Sequence, residues 1–194
     1  IEFFNKKTNF KIMNNSLMLF RFDLRVSDNE ALSLASLHPN CIAVYILDDN
    51  YLKLKTTSKF HTNFLFQSLI QLSKNLKLNG GHLNLFKGHT IEILKYLISN
   101  FSIETLYSNR IIKNSFYLSL DKKISEILNY LDVKWIQTNQ FGIQLNKRTR
   151  GLWSKDWNKF VSNEIAQKPR LNSLMQLENS NFITFYEKNE DLQN

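Results

Sequence analysis

The amino-acid sequence predicts an α/β fold of the Rossmann-like, doubly wound kind: a five-stranded parallel sheet with helices on both faces. Three observations carry that expectation. Short apolar runs alternate with amphipathic stretches in the order β-α-β-α-β-α-β-α-β. The runs are nearly continuous in apolar residues, as in Ile42–Leu47 (IAVYIL), which suits strands covered on both faces. Charged and turn-forming residues fall directly after the strands, at the rim where such sheets collect ligands.

Leu17–Phe22 reads as the first strand. Ser27-Asp28-Asn29-Glu30 matches a capping box, with Ser27 as the cap and the Glu30 carboxylate reaching back. The helix that follows carries Ala31, Leu32, Leu34 and Ala35 and stops at Pro39. Ile42–Leu47 is the second strand, closed by Asp48-Asp49-Asn50. Thr57 or Ser58 caps a long helix on which Phe60, Phe64, Ser68, Leu69, Leu72 and Leu76 share a face. Gly80-Gly81 ends it. Leu83–Phe86 is a short third strand; Gly88 turns the chain, and Ile91, Leu94, Leu97, Ile98 and Phe101 line the next helix. Thr105–Ser108 is the fourth strand. A helix from Ser115 to Leu131 turns Tyr117, Leu120, Ile124, Ile127, Leu128 and Leu131 inward, and Val133–Gln137 is the fifth strand. A last helix over Trp153–Ile165 is expected to pack on the sheet through Trp153 and Trp157. The expected organisation is an extension over 1–16, a domain over 17–168 and a linker or tail over 169–194.

Composition narrows the function classes. A chain of 194 residues, 43% of them hydrophobic, suits one domain with a sizeable core. Lys and Arg number 25 against 17 acidic residues, a formal charge of +8 that favours polyanionic partners. The basic residues are scattered, and the densest group is Lys147, Arg148, Arg150 and Lys155. That group either touches DNA phosphate or forms a solvated or interdomain face. A single cysteine, Cys41, rules out an internal disulfide and reads as a small buried hydrophobe, in keeping with a reducing, cytoplasmic setting. No apolar run is long enough for a bilayer span, so no membrane is expected. The N-terminus lacks signal-peptide features, and Met13 is a candidate start. His38, His61, His82 and His89 lack ligand spacing, so no metal site is expected. The loop after the first strand has no glycine, which disfavours dinucleotide and P-loop sites, and no G-x-S-x-G occurs.

Four polar loops share the expected rim: Arg21, Asp23, Arg25 and Asp28; Asp48-Asp49; Gly88-His89; and Asn109-Arg110. The first cluster either binds a ligand or forms an ion-pair network that fixes the loop. Asn109-Arg110 either lines a pocket or makes a turn.

The stretch FRFDLRVSDNEAL (20–32) resembles the amino-terminal signature of the photolyase/cryptochrome family; Phe20, Arg21, Asp23, Leu24, Arg25, Asp28, Asn29, Ala31 and Leu32 stand where that signature has them. VYILDD (44–49), FHTNFLFQSLIQLSKNL (60–76), LNLFKGHTIEIL (83–94) and LYSNRIIKNSFYLSLDKKI (106–124) resemble its later segments. NQFGIQLNKRTRGLWSKDWNKF (139–160) resembles a bacterial branch: Gln140, Gly142, Arg150, Trp153 and Trp157 match, while Leu145 and Asn146 replace a pair of arginines.

The resemblance implies the amino-terminal α/β domain of a light-dependent DNA photolyase. In that family this domain can hold an antenna chromophore of flavin, deazaflavin or folate type. A separate carboxy-terminal helical domain holds FAD and meets pyrimidine dimers in damaged DNA. By the resemblance these residues stop short of that domain, and alone they are expected to lack lyase activity. The alternatives are a cryptochrome-like blue-light photoreceptor and a stand-alone α/β binding module. The resemblance and the rim together nominate Arg21, Asp23, Leu24, Arg25, Asp48, Asn109 and Arg110 as chromophore-binding. Lys147, Arg148 and Arg150 are the interdomain or DNA-facing candidates, and no catalytic residue is assigned. Arg110-Ile111-Ile112-Lys113 offers no carboxylate, against the folate binding that uses an acidic residue there.

Overall fold

A computed structural model describes residues 15–112, 115–141 and 153–178. Five strands, β1 (Asn15–Phe20), β2 (Asn40–Asp48), β3 (Asn84–Gly88), β4 (Ile103–Asn109) and β5 (Lys134–Thr138), form one sheet in the order β3-β2-β1-β4-β5. Every neighbouring pair is parallel. The chain winds outward from β1 through β2 to β3, then returns beside β1 as β4. The β1–β4 seam is therefore the topological switch point, where a crevice opens at the carboxyl ends.

Strand side chains alternate between faces. Met18, Phe20, Ala43, Tyr45 and Leu47 pack with α1 (Glu30–Ala35) and α3 (Lys59–Leu78) in one core. Leu17, Leu19, Ile42, Val44 and Ile46 pack with α4 (Thr90–Phe101) and α5 (Ser115–Tyr130) in the other. The two cores are the physical reason the strands read as continuous apolar runs. Cys41 is fully buried on β2, and burial pushes its thiol up to about 12.

Local chemistry moves some expected boundaries. The first strand ends at Phe20, so Arg21 and Phe22 leave the sheet. The capping residue of α1 is Asn29, not Ser27: its side chain accepts from the Leu32 amide at 3.1 Å. Asp28 adopts φ 50°, and this left-handed residue sets Asn29 at the helix start. A short helix, α2 (Asp49–Leu52), was not foreseen; Asp48 caps it by accepting from Asn50 at 2.8 Å.

Ser58 caps α3 in a capping box with His61. Its buried face is Leu65, Phe66, Leu69, Leu72 and Leu76. Phe60 and Phe64, expected inside, are 86% and 72% exposed, because they lie more than roughly 100° around the helix from that face. Gly80 (φ 81°) ends the helix in a Schellman motif: its amide donates to Lys77 and that of Gly81 donates to Leu76.

The last helix, α6 (Trp153–Val161), buries none of its residues. Trp153 and Trp157 stack on each other, centroids 5.8 Å apart, and do not pin the helix to the sheet as expected. Beyond it, the chain runs back along α1. The Arg170 amide donates to the Ser36 hydroxyl at 2.9 Å, and Ser173 Oγ donates to the Ser36 carbonyl at 3.0 Å. Leu171 and Leu174 are buried, and the Met175 amide donates to the Cys41 carbonyl at 2.8 Å. Asn84 completes this strap: its Nδ2 donates to the Ala43 and Met175 carbonyls, and its Oδ1 accepts from the Leu177 amide. Gly81 permits it, since a Cβ there would lie 2.9 Å from the Leu171 carbonyl oxygen.

Candidate functional site

The carboxyl rim carries two distinct assemblies. The first fills the switch point with a closed polar network. Asp23, Asn29, Asn109 and Thr138 come from the β1–α1 loop, the α1 cap, the end of β4 and the end of β5, and all four are buried. Asn109 Nδ2 donates to the Asp23 carboxylate and to Asn29 Oδ1, while its Oδ1 accepts from Thr138 Oγ1. The other Asp23 oxygen accepts from the Arg21 amide at 3.0 Å. Asn29 Nδ2 is shared among the Asp23 side chain, the Asp23 carbonyl and the Arg25 carbonyl. Asn109 thus spends both amide hydrogens and its oxygen inside the protein. Such a satisfied buried network specifies geometry and leaves little for a ligand.

The second assembly lies on the β1–β2 side. Phe22, Tyr45, Tyr51, Phe116 and Tyr117 surround a narrow slot, with Arg21 and Asp48 as its charged residues. Phe116 and Tyr117 sit in the first turn of α5; Tyr51 lies within α2; Tyr45 stands on β2. Phe22 meets Tyr117 edge to face at 5.0 Å, and Tyr51 lies 6.0 Å from Tyr117. Burial pushes the Tyr45 and Tyr117 hydroxyls up, so both are neutral at ordinary pH. The space between these rings is about 40 Å³, room for a water and little more. A space of this size does not admit a ring system unless the aromatic walls part.

Arg21 is 8% exposed. Its Nη1 stands 2.8 Å from Asp121 Oδ1 on α5, and its guanidinium lies 5.6 Å from the Trp135 ring centroid on β5. Nη1 is held by this ion pair, and Nη2 is buried without a hydrogen-bond partner. Burial pushes Arg21 down and Asp121 up, each against the attraction of the other. Arginine starts so far above neutrality that Arg21 stays protonated. A buried donor without an acceptor costs about 1–3 kcal/mol.

Asp48 is committed elsewhere. Its Oδ2 accepts from the Thr90 amide at 3.0 Å and hydroxyl at 2.6 Å, tying β2 to the start of α4. Burial by itself pushes the pKa of Asp48 up, but the hydrogen bonds from Thr90, Asn50 and Tyr51 outweigh that and hold it below the usual carboxylate value. Beside the slot, Asn50, His89, Ser119 and Lys123 line a wider basin of about 590 Å³ that shares Asp48, Thr90 and Phe116 with it.

The nominated residues therefore divide. Arg21 and Asp48 line the slot. Asp23 and Asn109 belong to the network, and Leu24 packs against the α1–α3 core. Arg25 is exposed and donates to the Asp28 carbonyl and to Gln140. Arg110 is exposed, with its amide donating to the Thr138 carbonyl. Lys147, Arg148 and Arg150 lie outside the described residues. The slot's aromatic walls escaped the site reading; Tyr117 was legible only as an inward face of its helix. A third hollow, about 660 Å³, lies between Arg25, Asn109, Gln140 and the segment from Phe160 to Lys168. It is larger, but among the described residues that line it Phe160 is the single aromatic ring. Among the described residues no group of three His, Cys, Asp or Glu could hold a metal ion, and no helix is long and apolar enough to cross a membrane.

The chain is 32% identical over 102 residues to cryptochrome DASH, chloroplastic/mitochondrial, of Arabidopsis thaliana, covering 49% of this chain and 18% of that protein. Its fold matches an archaeal photolyase from Sulfolobus tokodaii with TM-score 0.69 at 22% identity, over 90% of this chain and 41% of that one. It also matches a bacterial class III photolyase from Agrobacterium tumefaciens with TM-score 0.72 at 24% identity, over 89% and 38%. The chain thus spans less than half the length of each of these proteins. The model of the family described as DNA photolyase matches residues 16–141, which hold the whole sheet and both rim assemblies' strands, and the chain belongs to that family.

Proposed function

We propose that the chain is the amino-terminal domain of a light-dependent DNA photolyase and that its aromatic slot holds an antenna chromophore. The single observation behind the site is Arg21: a buried, charged side chain, ion-paired to Asp121 through Nη1 and with Nη2 lacking a hydrogen-bond acceptor, lining a slot walled by aromatic rings. That combination suits a planar ligand with polar edge atoms. The Sulfolobus tokodaii photolyase, described as having two FAD molecules with the implication of a novel light-harvesting cofactor, supports an occupant of this kind.

When bound, the chromophore supplies light absorption. The chain's own residues stack on it, exclude water and fix its orientation through Arg21, while the Asp23–Asn109 network keeps the neighbouring crevice shut. In this reading a separate helical domain carries FAD and meets damaged DNA. In this reading Lys147, Arg148 and Arg150 serve contacts with that domain or with DNA phosphate. The setting is cytoplasmic. The cryptochrome DASH relative favours a second reading, a blue-light photoreceptor built on the same domain.

The test uses the complete protein encoded around these residues, illuminated with an oligonucleotide containing a pyrimidine dimer. Light-dependent restoration of the two bases supports the photolyase. A flavoprotein that responds to light and leaves the dimer intact supports the receptor. A complete protein with no helical flavin domain contradicts both and leaves the stand-alone binding module.

A further inference from the structure

We infer that the outer face of α3 is a binding site for single-stranded DNA, separate from the slot and from any contact with a lesion. The first sign is a missing charge. From Asn50 to Ile91 the chain has six Lys and no Asp or Glu, so this run carries six of the eight net positive charges and the remainder is nearly balanced. A run without carboxylates neither repels a polyanion nor neutralises its own cations.

The structure lays much of that run out as one track. α3 is about 30 Å long. Opposite its buried face, Phe60, Asn63, Phe64, Gln67, Gln71 and Lys74 fall on one stripe, all of them exposed. Lys53 and Lys55 stand ahead of the first turn and Lys77 in the last, exposed as well. Among the described residues, Lys53, Lys55, Lys74 and Lys77 make no ion pair.

Phe60 and Phe64 decide the partner. Two phenyl rings one turn apart lie open to water beside these lysines. An unpaired strand offers phosphates to the lysines and base faces to the rings; a duplex keeps its base faces stacked inside and offers the phosphates alone. The amides of Asn63, Gln67 and Gln71 can donate to phosphates and base edges along the same stripe. An anionic membrane fits less well, because a helix lying in it needs a continuous apolar face, and here Gln67, Gln71 and Lys74 separate the rings from Leu78. A protein partner fits less well too, since lysine is depleted from the core of such interfaces.

The test follows the fluorescence anisotropy of a labelled, undamaged oligothymidylate of about 12 nucleotides as the 194-residue chain is added. Saturable binding is expected, weakening steeply between about 50 and 200 mM salt, and a duplex of equal length should bind less tightly. Phe60→Ala and Phe64→Ala should each cost about fivefold to a hundredfold with the salt slope unchanged. Lys55→Gln with Lys74→Gln should flatten that slope by about 1.4, while Lys122→Gln with Lys134→Gln, exposed on α5 and β5, should leave it unchanged. Should a ring variant fail to fold, the lysine pairs and the duplex still decide. No saturable binding at the lower salt, a duplex bound as tightly, ring variants without effect, or a control pair that matters as much as the α3 pair would overturn the inference. So would a preference for oligouridylate, or sedimentation with phosphatidylglycerol vesicles that oligothymidylate does not compete away. The probe carries no dimer and the slot takes no part, so failure here leaves the photolyase reading standing.

Discussion

The Asn109 side chain donates to the Asp23 carboxylate across 86 residues of sequence and closes the sheet's switch point from within. Asn109→Ala is expected to strand Asp23 and Thr138, costing about 1–3 kcal/mol for each group left unpaired. Asn109→Asp should cost more at neutral pH, because it sets two carboxylates side by side. That excess should shrink as acid protonates one of them. Urea denaturation at pH 7 and pH 5 reads both effects, and equal stability of Asn109→Asp at the two pH values would contradict the network.

Asp48 links pH to stability in the opposite direction. Its folded-state value lies below the ordinary 3.8, so its contribution is complete above that value and is withdrawn as pH falls through the lower one. Asp48→Asn and Thr90→Val should each flatten the loss of stability below about pH 4. Chemical denaturation across pH 2–6 measures it, and a slope identical to wild type would remove Asp48 from the account.

The two sides of α3 should respond differently. Leu69→Ala, at a fully buried position, is expected to cost about 2–5 kcal/mol, and Phe64→Lys to stay within about 0.5 kcal/mol. Thermal or urea unfolding separates the two, and a large loss from Phe64→Lys would mean the helix face is wrongly placed.

The strap after α6 predicts a local effect. Asn84→Ala removes the bonds to Ala43, Met175 and Leu177, and Gly81→Val drives a side chain into the Leu171 carbonyl. Both should raise amide exchange at Met175 and open the thiol of Cys41 to alkylation, which the buried, poorly ionised thiol of the native chain resists. Unchanged exchange at Met175 would contradict the clamp.

These tests also mark how much the sequence reveals. Strand order and helix sides follow from apolar runs that a parallel sheet must bury on two faces, so all five strands were legible within a few residues. The α1 cap was misassigned because Ser27 and Asn29 are both good caps, and only the left-handed Asp28 chooses between them. Phe60 and Phe64 misled because aromatic residues at helical spacing look inward until the packed face is known. The slot was the least legible part. Arg21 finds Asp121 on α5 and Trp135 on β5, partners about a hundred residues away that no local pattern announces. The motif marked Arg21 as notable; only the packing shows that Nη1 meets Asp121 while Nη2 finds no acceptor.

The central claim is that the slot beneath Tyr117 receives the chromophore. A structure of the chain with riboflavin bound tests it most directly. The account predicts the ring system between the aromatic walls of Tyr45, Tyr51, Phe116 and Tyr117, with a ring carbonyl on the Arg21 guanidinium. A ring system seated instead in the hollow between Arg25, Gln140 and Phe160, with the slot closed and Arg21 paired with Asp121 alone, would contradict it.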